Sequence, residues 1–216
     1  MAVVSSERKS AASRGRKRSA GSETRERIMD VAETHLGGGG YLGVSLEEVA
    51  REVGVSKPAL YYHFPKGKEE LFIAIAHRAL EHHREGLERA IAAHDSGADK
   101  LRAVARWLMS ESNQEHPMNE LRDLTRFVSE EHQSELAEAF FGSLYGPIHR
   151  AISSAVESGE FSENSPELLT WAFLSLLSGM LQVNNTPSGP ALPEATRTAQ
   201  GMADRTVDLF LNGVLP

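Results

Sequence analysis

Hydrophobic residues recur along this chain at intervals of three and four positions, which is the period of an amphipathic helix. Near the N-terminus the pattern includes Ile28, Val31 and Ala32, and it predicts a helix over residues 22 to 36 that the glycines at 37 to 40 end. No strand-like alternation competes with this period. We therefore predict an all-α protein.

Two short helices joined by a turn follow the first one. Ser45 and Ser56 each precede an apolar stretch and can cap a helix through the hydroxyl oxygen. Gly54 can take positive φ between them. Ala50 is small enough for two helices to cross, and Leu60 is an apolar anchor for the second helix. The spacing predicts a helix-turn-helix.

The outward face of the second short helix has an unusual composition. With Leu60 inward, steps of 100° per residue turn Pro58 and Tyr62 outward. Such a helix suits insertion of its N-terminal end into a major groove, with the side chains behind it touching phosphates or sugars. The residues placed for bases are Lys57, Pro58 and Ala59, and those placed for the backbone are Tyr61, Tyr62 and His63. The alternative is that Tyr61 or Tyr62 covers the neighbouring helix.

Charge divides the chain unevenly. The formal net charge is −7, yet residues 1 to 70 hold 12 Lys and Arg against 10 Asp and Glu, leaving 11 against 20 for the remainder. Residues 1 to 21 form a basic, Ser/Ala/Gly-rich arm without apolar period, which predicts disorder in the free protein. The arm would contact DNA phosphates or act as a solubilising tail. Lys66 and Lys68 precede the next predicted helix and would face one phosphate.

The sequence from 22 to 83, and above all SLEEVAREVGVSKPALYYHFPKGKEELF, resembles the DNA-binding domain of the tetracycline-repressor (TetR) family of bacterial regulators. The marks are G-Y-x-x-V-S-L at 40 to 46, A-x-x-x-G-V-S at 50 to 56 and L-Y-x-H-F at 60 to 64. The resemblance implies DNA contacts from Ser45, Lys57, Pro58, Ala59, Tyr61, Tyr62, His63 and Lys68. Ser56 and Lys66 are predicted contacts as well. The resemblance also implies a homodimer.

Residues 84 to 216 predict a larger helical domain for ligand binding and dimerisation. Helices are expected near 67 to 93, 98 to 114, 117 to 130, 132 to 158, 165 to 184 and 191 to 212. The last two carry small and apolar residues that suit a four-helix bundle with a second copy. The predicted dimer residues are Leu168, Ala172, Ser175, Gly179, Ala195, Ala199, Met202 and Phe210. Burial within one chain is the alternative.

Aromatic side chains on the middle helices are candidates for a pocket that takes a small apolar effector. They are Trp107, Phe127, Phe141, Tyr145 and Trp171, and residues of this type also serve as ordinary core. The histidines at 77, 82 and 83 lack the spacing of a metal site. No nucleophile turn or carboxylate pair indicates catalysis, so no cofactor or metal is expected.

Together these features predict a DNA-binding transcriptional regulator, a homodimeric repressor that binds a palindromic operator and is released by a small molecule. A regulator without a ligand is an alternative, and an all-helical ligand carrier or enzyme is another. The chain has no cysteine, and its first residues lack the apolar run of a secretory signal. A cytoplasmic protein is therefore expected.

Overall fold

The computed structural model describes residues 21–36, 40–111, 126–184 and 198–213, and every regular element within them is helical. The all-α prediction is confirmed. The predicted basic arm, apart from Gly21, and most of the predicted helix at 117 to 130 lie outside the described residues. None of the described helices combines the length and hydropathy that a membrane crossing requires.

The helices are numbered here in chain order. They are α1 (21–36), α2 (Leu46–Val53), α3 (Lys57–His63), α4 (Lys68–Ala92), α5 (Gly97–Glu111), α6 (Glu130–Phe140), α7 (Gly146–Glu157), α8 (Pro166–Asn184) and α9 (Ala199–Leu211). Residues 40–43 are helical as well and are not numbered. A π-helical segment, Phe141–Tyr145, joins α6 to α7, where the sequence predicted one regular helix.

The chain divides into two compact units between Ile75 and Ala76. The sequence-based boundary was placed later, at residue 83. The two differ because α4 runs without interruption through both positions. An apolar period shows which side of a helix is buried, but it does not show where along the helix the packing partners change.

The first unit is built around α1, whose Ile28 is fully buried. Arg27 of α1 donates a hydrogen bond to the carbonyl of Val53 at the end of α2 (2.9 Å), which satisfies a carbonyl that the helix leaves open. Arg25 lies over the ring of Phe64, 4.9 Å from its centre. These contacts hold α2 and the end of α3 against the first helix.

Local sequence explains the turn between α2 and α3. The Ser45 hydroxyl accepts the N–H of Glu48 at 3.4 Å, and the Ser56 hydroxyl accepts the N–H of Ala59 at 3.3 Å. Gly54 adopts φ 77°, the left-handed conformation that glycine tolerates best. The predicted caps and turn are therefore confirmed.

In the second unit, α5 packs against α7 and α9, while α8 packs against the same two helices. The core between them is apolar, with Leu101, Ile152, Phe173 and Val207 fully buried. Two ion pairs also join α5 to α9: Arg106 Nε lies 2.8 Å from Asp204, and Arg102 lies 3.3 Å from Asp208.

Candidate nucleic-acid interface

Helix α3 presents the side chains that the sequence predicted to face outward. Tyr62 is 82% exposed, whereas Leu60 on the opposite side is fully buried. Lys57 and Pro58 are also exposed, and Ala59 and His63 are half-buried. Pro58 stands in the first turn, where a missing N–H costs little. The result is a short helix held by one apolar anchor, with a polar and aromatic face turned to solvent.

The two tyrosines of α3 have different surroundings. A Cβ added at Gly67 would lie 3.4 Å from Cε1 of Tyr61 and 3.8 Å from a methyl of Leu46, so the Tyr61 ring lies along the turn that follows α3. Tyr61 remains 40% exposed. The alternative was that Tyr61 or Tyr62 covers a neighbouring element. It holds for one side of the Tyr61 ring and does not hold for Tyr62.

Lys57 at the start of α3 is paired with Glu47 in the first turn of α2. The ammonium donates a hydrogen bond to the carboxylate, with Nζ 2.5 Å from Oε1. This hydrogen bond raises the pKa of Lys57 and lowers the pKa of Glu47, so both groups are charged at neutral pH. Nothing in the spacing of the sequence indicated this pair, although Glu47 is two residues from Ser45, a predicted DNA contact.

The lysines at 66 and 68 point in different directions. The Lys66 side chain is exposed, and its backbone N–H donates to Glu70 at 2.8 Å. The Lys68 ammonium lies over the ring of Tyr41, 4.6 Å from its centre, and 3.5 Å from the carbonyl oxygen of Leu42. Burial lowers the pKa of Lys68. Only Lys66 is turned fully to solvent, and a phosphate contact by either lysine stays a prediction.

The capping serines can each still donate one hydrogen bond to a ligand. Each hydroxyl of Ser45 and Ser56 accepts a bond from its own helix, which leaves the O–H of the same group able to donate. Ser56 is exposed, and Ser45 is half-buried. Both can therefore cap a helix and donate to a phosphate at the same time.

Three of the five predicted pocket residues lie together in the second unit. Ring centres are 5.4 Å apart for Phe141 and Tyr145, 5.3 Å for Tyr145 and Trp171, and 6.2 Å for Phe141 and Trp171. We call these three residues the aromatic cluster. Phe141 is 47% and Trp171 39% exposed, while Tyr145 packs against the core, so the cluster is partly open to solvent. His149, which the sequence did not single out, stacks on Tyr145 at 5.3 Å.

Trp107 and Phe127 have other surroundings. The Trp107 ring lies against Gly86 and 5.6 Å from His82, both in α4, and its indole N–H is buried without an acceptor. Phe127 is 39% exposed. In the described part of the chain, no three His, Asp or Glu side chains are arranged to hold a metal ion.

The predicted dimer residues divide between α8 and α9. On α8 they form an exposed stripe of Leu168, Ala172, Ser175 and Gly179, which we call the α8 stripe. On α9, Met202 and Phe210 are 2% and 7% exposed and belong to the core of their own chain, so a dimer contact by either one stays a prediction. Ala199 is exposed, and Ala195 lies outside the described residues.

Comparison with known proteins finds a family whose model matches part of this chain. Residues 28–75 match the family model "Bacterial regulatory proteins, tetR family". The chain is 33% identical over 86 residues to the HTH-type transcriptional regulator LmrA of Bacillus subtilis, and 32% identical over 101 residues to the HTH-type transcriptional activator FasR of Mycolicibacterium smegmatis. These matches cover 40% and 42% of this chain, and 46% of each relative.

The fold extends further than the sequence similarity. The structure resembles AibR in complex with isovaleryl coenzyme A and operator DNA, with a TM-score of 0.69 and 19% identity. This likeness covers 87% of the present chain and 98% of AibR. Both units of the chain therefore contribute to the similarity, at the level of fold.

Proposed function

Because the chain belongs to the tetR family of bacterial regulatory proteins, we propose that it is a DNA-binding transcriptional regulator that acts as a homodimer. The observation that carries the proposal is the outward face of α3. Tyr62 is 82% exposed on a helix whose buried side chain is Leu60. A large aromatic ring is left in solvent at a cost that contact with a nucleic acid would offset.

Helix α3 inserts its N-terminal end into the major groove, where Lys57, Pro58 and Ala59 reach base edges. Tyr61, Tyr62, His63 and Lys66 contact the sugar-phosphate backbone. The predicted role of Lys68 is weaker, since its ammonium lies over Tyr41. The hydroxyls of Ser45 and Ser56 donate to phosphates from the helix caps.

Two copies associate through the α8 stripe. Small side chains at Ala172, Ser175 and Gly179 allow another helix to approach closely, and an added Cβ at Gly179 would meet nothing within its own chain. A twofold pair can hold two α3 helices about 34–36 Å apart, which is one turn of DNA. The operator is then a palindrome.

The protein represses transcription until a small apolar molecule releases it. The aromatic cluster supports this part of the proposal, because three rings from the π-helical segment and α8 are only partly covered. Binding there would favour one arrangement of the dimer and so change the spacing of the two α3 helices. AibR, of the same fold, was solved with both an acyl thioester and operator DNA.

DNA binding is tested with the duplex upstream of the protein's own gene, using wild type, Tyr62→Ala and Tyr62→Phe in fluorescence anisotropy. We expect Tyr62→Ala to weaken binding roughly 10-fold, about 1.4 kcal/mol, with an unchanged thermal midpoint. Tyr62→Phe separates the ring from the hydroxyl. Leu42→Ala, which removes another exposed apolar side chain from the same unit, serves as control. Wild-type protein that binds neither this duplex nor any sequence selected from a random pool would contradict the proposal.

A further inference from the structure

An acidic side chain stands beside the proposed DNA-binding face. Glu47 lies in the first turn of α2, and its carboxylate reaches the ammonium of Lys57 at the start of α3. The exposed fractions of the side chains are 70% for Glu47 and 54% for Lys57. A surface that meets phosphates gains most from cations alone, so a carboxylate at this place requires an explanation.

The neighbouring groups isolate this ion pair from the others in α2. Glu48 faces Arg51 along the same helix at 3.8 Å, and Glu52 is bonded to His35 of α1 at 2.9 Å. Glu47 is therefore the carboxylate of α2 that reaches across to α3. Two proposed backbone contacts flank Lys57: Ser56 directly precedes it, and Tyr61 follows one turn later.

We infer that Glu47 is a specificity residue, which neutralises Lys57 and thereby weakens the attraction of the protein to DNA of arbitrary sequence. The inference rests on the proposed function. A lysine that exchanges Glu47 for a phosphate gains no additional ion pair. The exchange also leaves an unpaired carboxylate next to the phosphate backbone, where like charges repel.

A base edge can accept a hydrogen bond from Lys57 while the ion pair with Glu47 stays intact. The ammonium has three N–H donors, so Lys57 can keep its bond to Glu47 and still donate to O6 or N7 of guanine. The carboxylate fixes the direction of the ammonium by holding one donor. Contact with the right base therefore adds a hydrogen bond without breaking the pair, and the ratio of specific to non-specific affinity rises.

The test measures the affinity for two duplexes of equal length, one selected by the wild type from a random pool and one of mixed random sequence. Wild type, Glu47→Gln, Lys57→Met and the double variant are titrated over a range of salt concentrations. We expect Glu47→Gln to bind the random duplex roughly 3- to 10-fold more tightly at low salt. The plot of log K against log salt should steepen by about 0.9 per subunit. The selected duplex should gain less, so the specificity ratio falls.

The double variant shows whether Glu47 acts through Lys57. In the Lys57→Met background, Glu47→Gln should change the affinity and the salt slope much less than in the wild type, because no ammonium is released and only the repulsion by one carboxylate is lost. An undiminished effect in that background would mean that Glu47 repels DNA directly, and would overturn the inference. Glu138→Gln, which changes the same charge at an exposed position of α6, controls for net charge.

The two proposals fail in distinguishable ways. If the wild type binds neither duplex, the proposed function itself is wrong. If the wild type selects a duplex and Glu47→Gln reproduces its affinities and slopes, only the role of Glu47 is wrong. If the pair has only a structural role, Glu47→Gln should lower the thermal stability and leave the specificity ratio unchanged. That result would also overturn the inference.

Discussion

The carboxylate of Glu160 caps α5 from a distant part of the chain, accepting the backbone N–H of Gly97 at 2.7 Å. Its second oxygen accepts the N–H of Ala98 at 3.0 Å. The first N–H groups of a helix have no partner inside it, and a carboxylate there also meets the positive end of the helix dipole. Gly97 allows the approach, because a Cβ at this position would lie 2.5 Å from that of Ala155.

Removal of this cap should destabilise the second unit. We expect Glu160→Ala to lower the free energy of unfolding by about 1–3 kcal/mol, since two partly buried N–H groups lose a charged acceptor. Urea unfolding followed by circular dichroism measures the change. Glu160→Gln should lose less, because its amide oxygen still accepts one bond. Glu163→Ala, at an exposed position, is the control, and an equal loss in both alanine variants would contradict the assigned role.

The contact between Gly86 and Trp107 should not tolerate one additional carbon. A Cβ at Gly86 would lie 2.0 Å from the indole ring, so Gly86→Ala must displace Trp107 or separate α4 from α5. We expect a loss of about 1–3 kcal/mol. Tryptophan emission in a Trp171→Phe background should shift as the Trp107 ring moves. Gly142→Ala, where the added carbon meets nothing, should be neutral or stabilising. An unshifted emission maximum would contradict the expected displacement of the Trp107 ring.

The two lysines after α3 should differ in their effect on DNA binding. Lys66→Met should reduce the salt slope by about 0.9 per subunit if its exposed ammonium contacts phosphate. Lys68→Met should leave the slope unchanged, because this ammonium lies over Tyr41. Anisotropy titrations over a range of salt concentrations measure both. Equal slopes for the two variants would contradict the distinction.

Lys68 should also leave a signature in the dependence of stability on pH. Its pKa is lowered in the folded protein, so the folded state holds this proton less tightly than the unfolded chain does. Stability should therefore rise as the pH approaches the ordinary pKa of lysine, about 10.4. Urea unfolding midpoints measured between about pH 8 and 10.4 should show this rise in the wild type and lose it in Lys68→Met. A rise of the same size in the variant would assign it to other groups.

Gly179→Leu tests the α8 stripe as the dimer interface. The new side chain starts in open space within its own chain, so the fold should be retained, while a second copy could no longer approach. We expect self-association at least about 10-fold weaker, equivalent to about 1.4 kcal/mol, by sedimentation equilibrium. Gly142→Leu, also in open space, is the matched control. A Gly179→Leu dimer as tight as wild type would rule out this interface.

Features that depend on adjacent residues were predictable from the sequence. The hydroxyls of Ser45 and Ser56 cap helices a few positions away, and Gly54 supplies a backbone conformation at its own position. The direction of Tyr62 followed from Leu60 by helix geometry. Each of these statements needs only the chain within one or two turns, and each predicted geometry is confirmed.

Features that depend on distant partners were not predictable. Helix α9 has two adjacent apolar rows, and both are buried, because α5 meets one broad face of it. The sequence period could not show that the row with Met202 and Phe210 is buried in the core of its own chain. The position of the Lys68 ammonium depends on Tyr41, which is separated from it in sequence by α2 and α3. The pairing of Lys57 with Glu47 depends on how those two helices cross.

The wide turn between α6 and α7 has a consequence for chain length. The N–H of Gly146 bonds to the carbonyl of Phe141, five residues back, so this turn holds one residue more than an α-helical turn. Buried residues before and after it, among them Leu136, Phe140, Leu144, Ile148 and Ile152, recur every four positions. Side chains at that spacing would move progressively around the axis of a regular α-helix. The additional residue of this turn compensates for part of the shift. Deletion of one residue from this turn would convert it to an α-helical turn without rotating either flank, whereas a deletion elsewhere in the same stretch would turn buried side chains toward water.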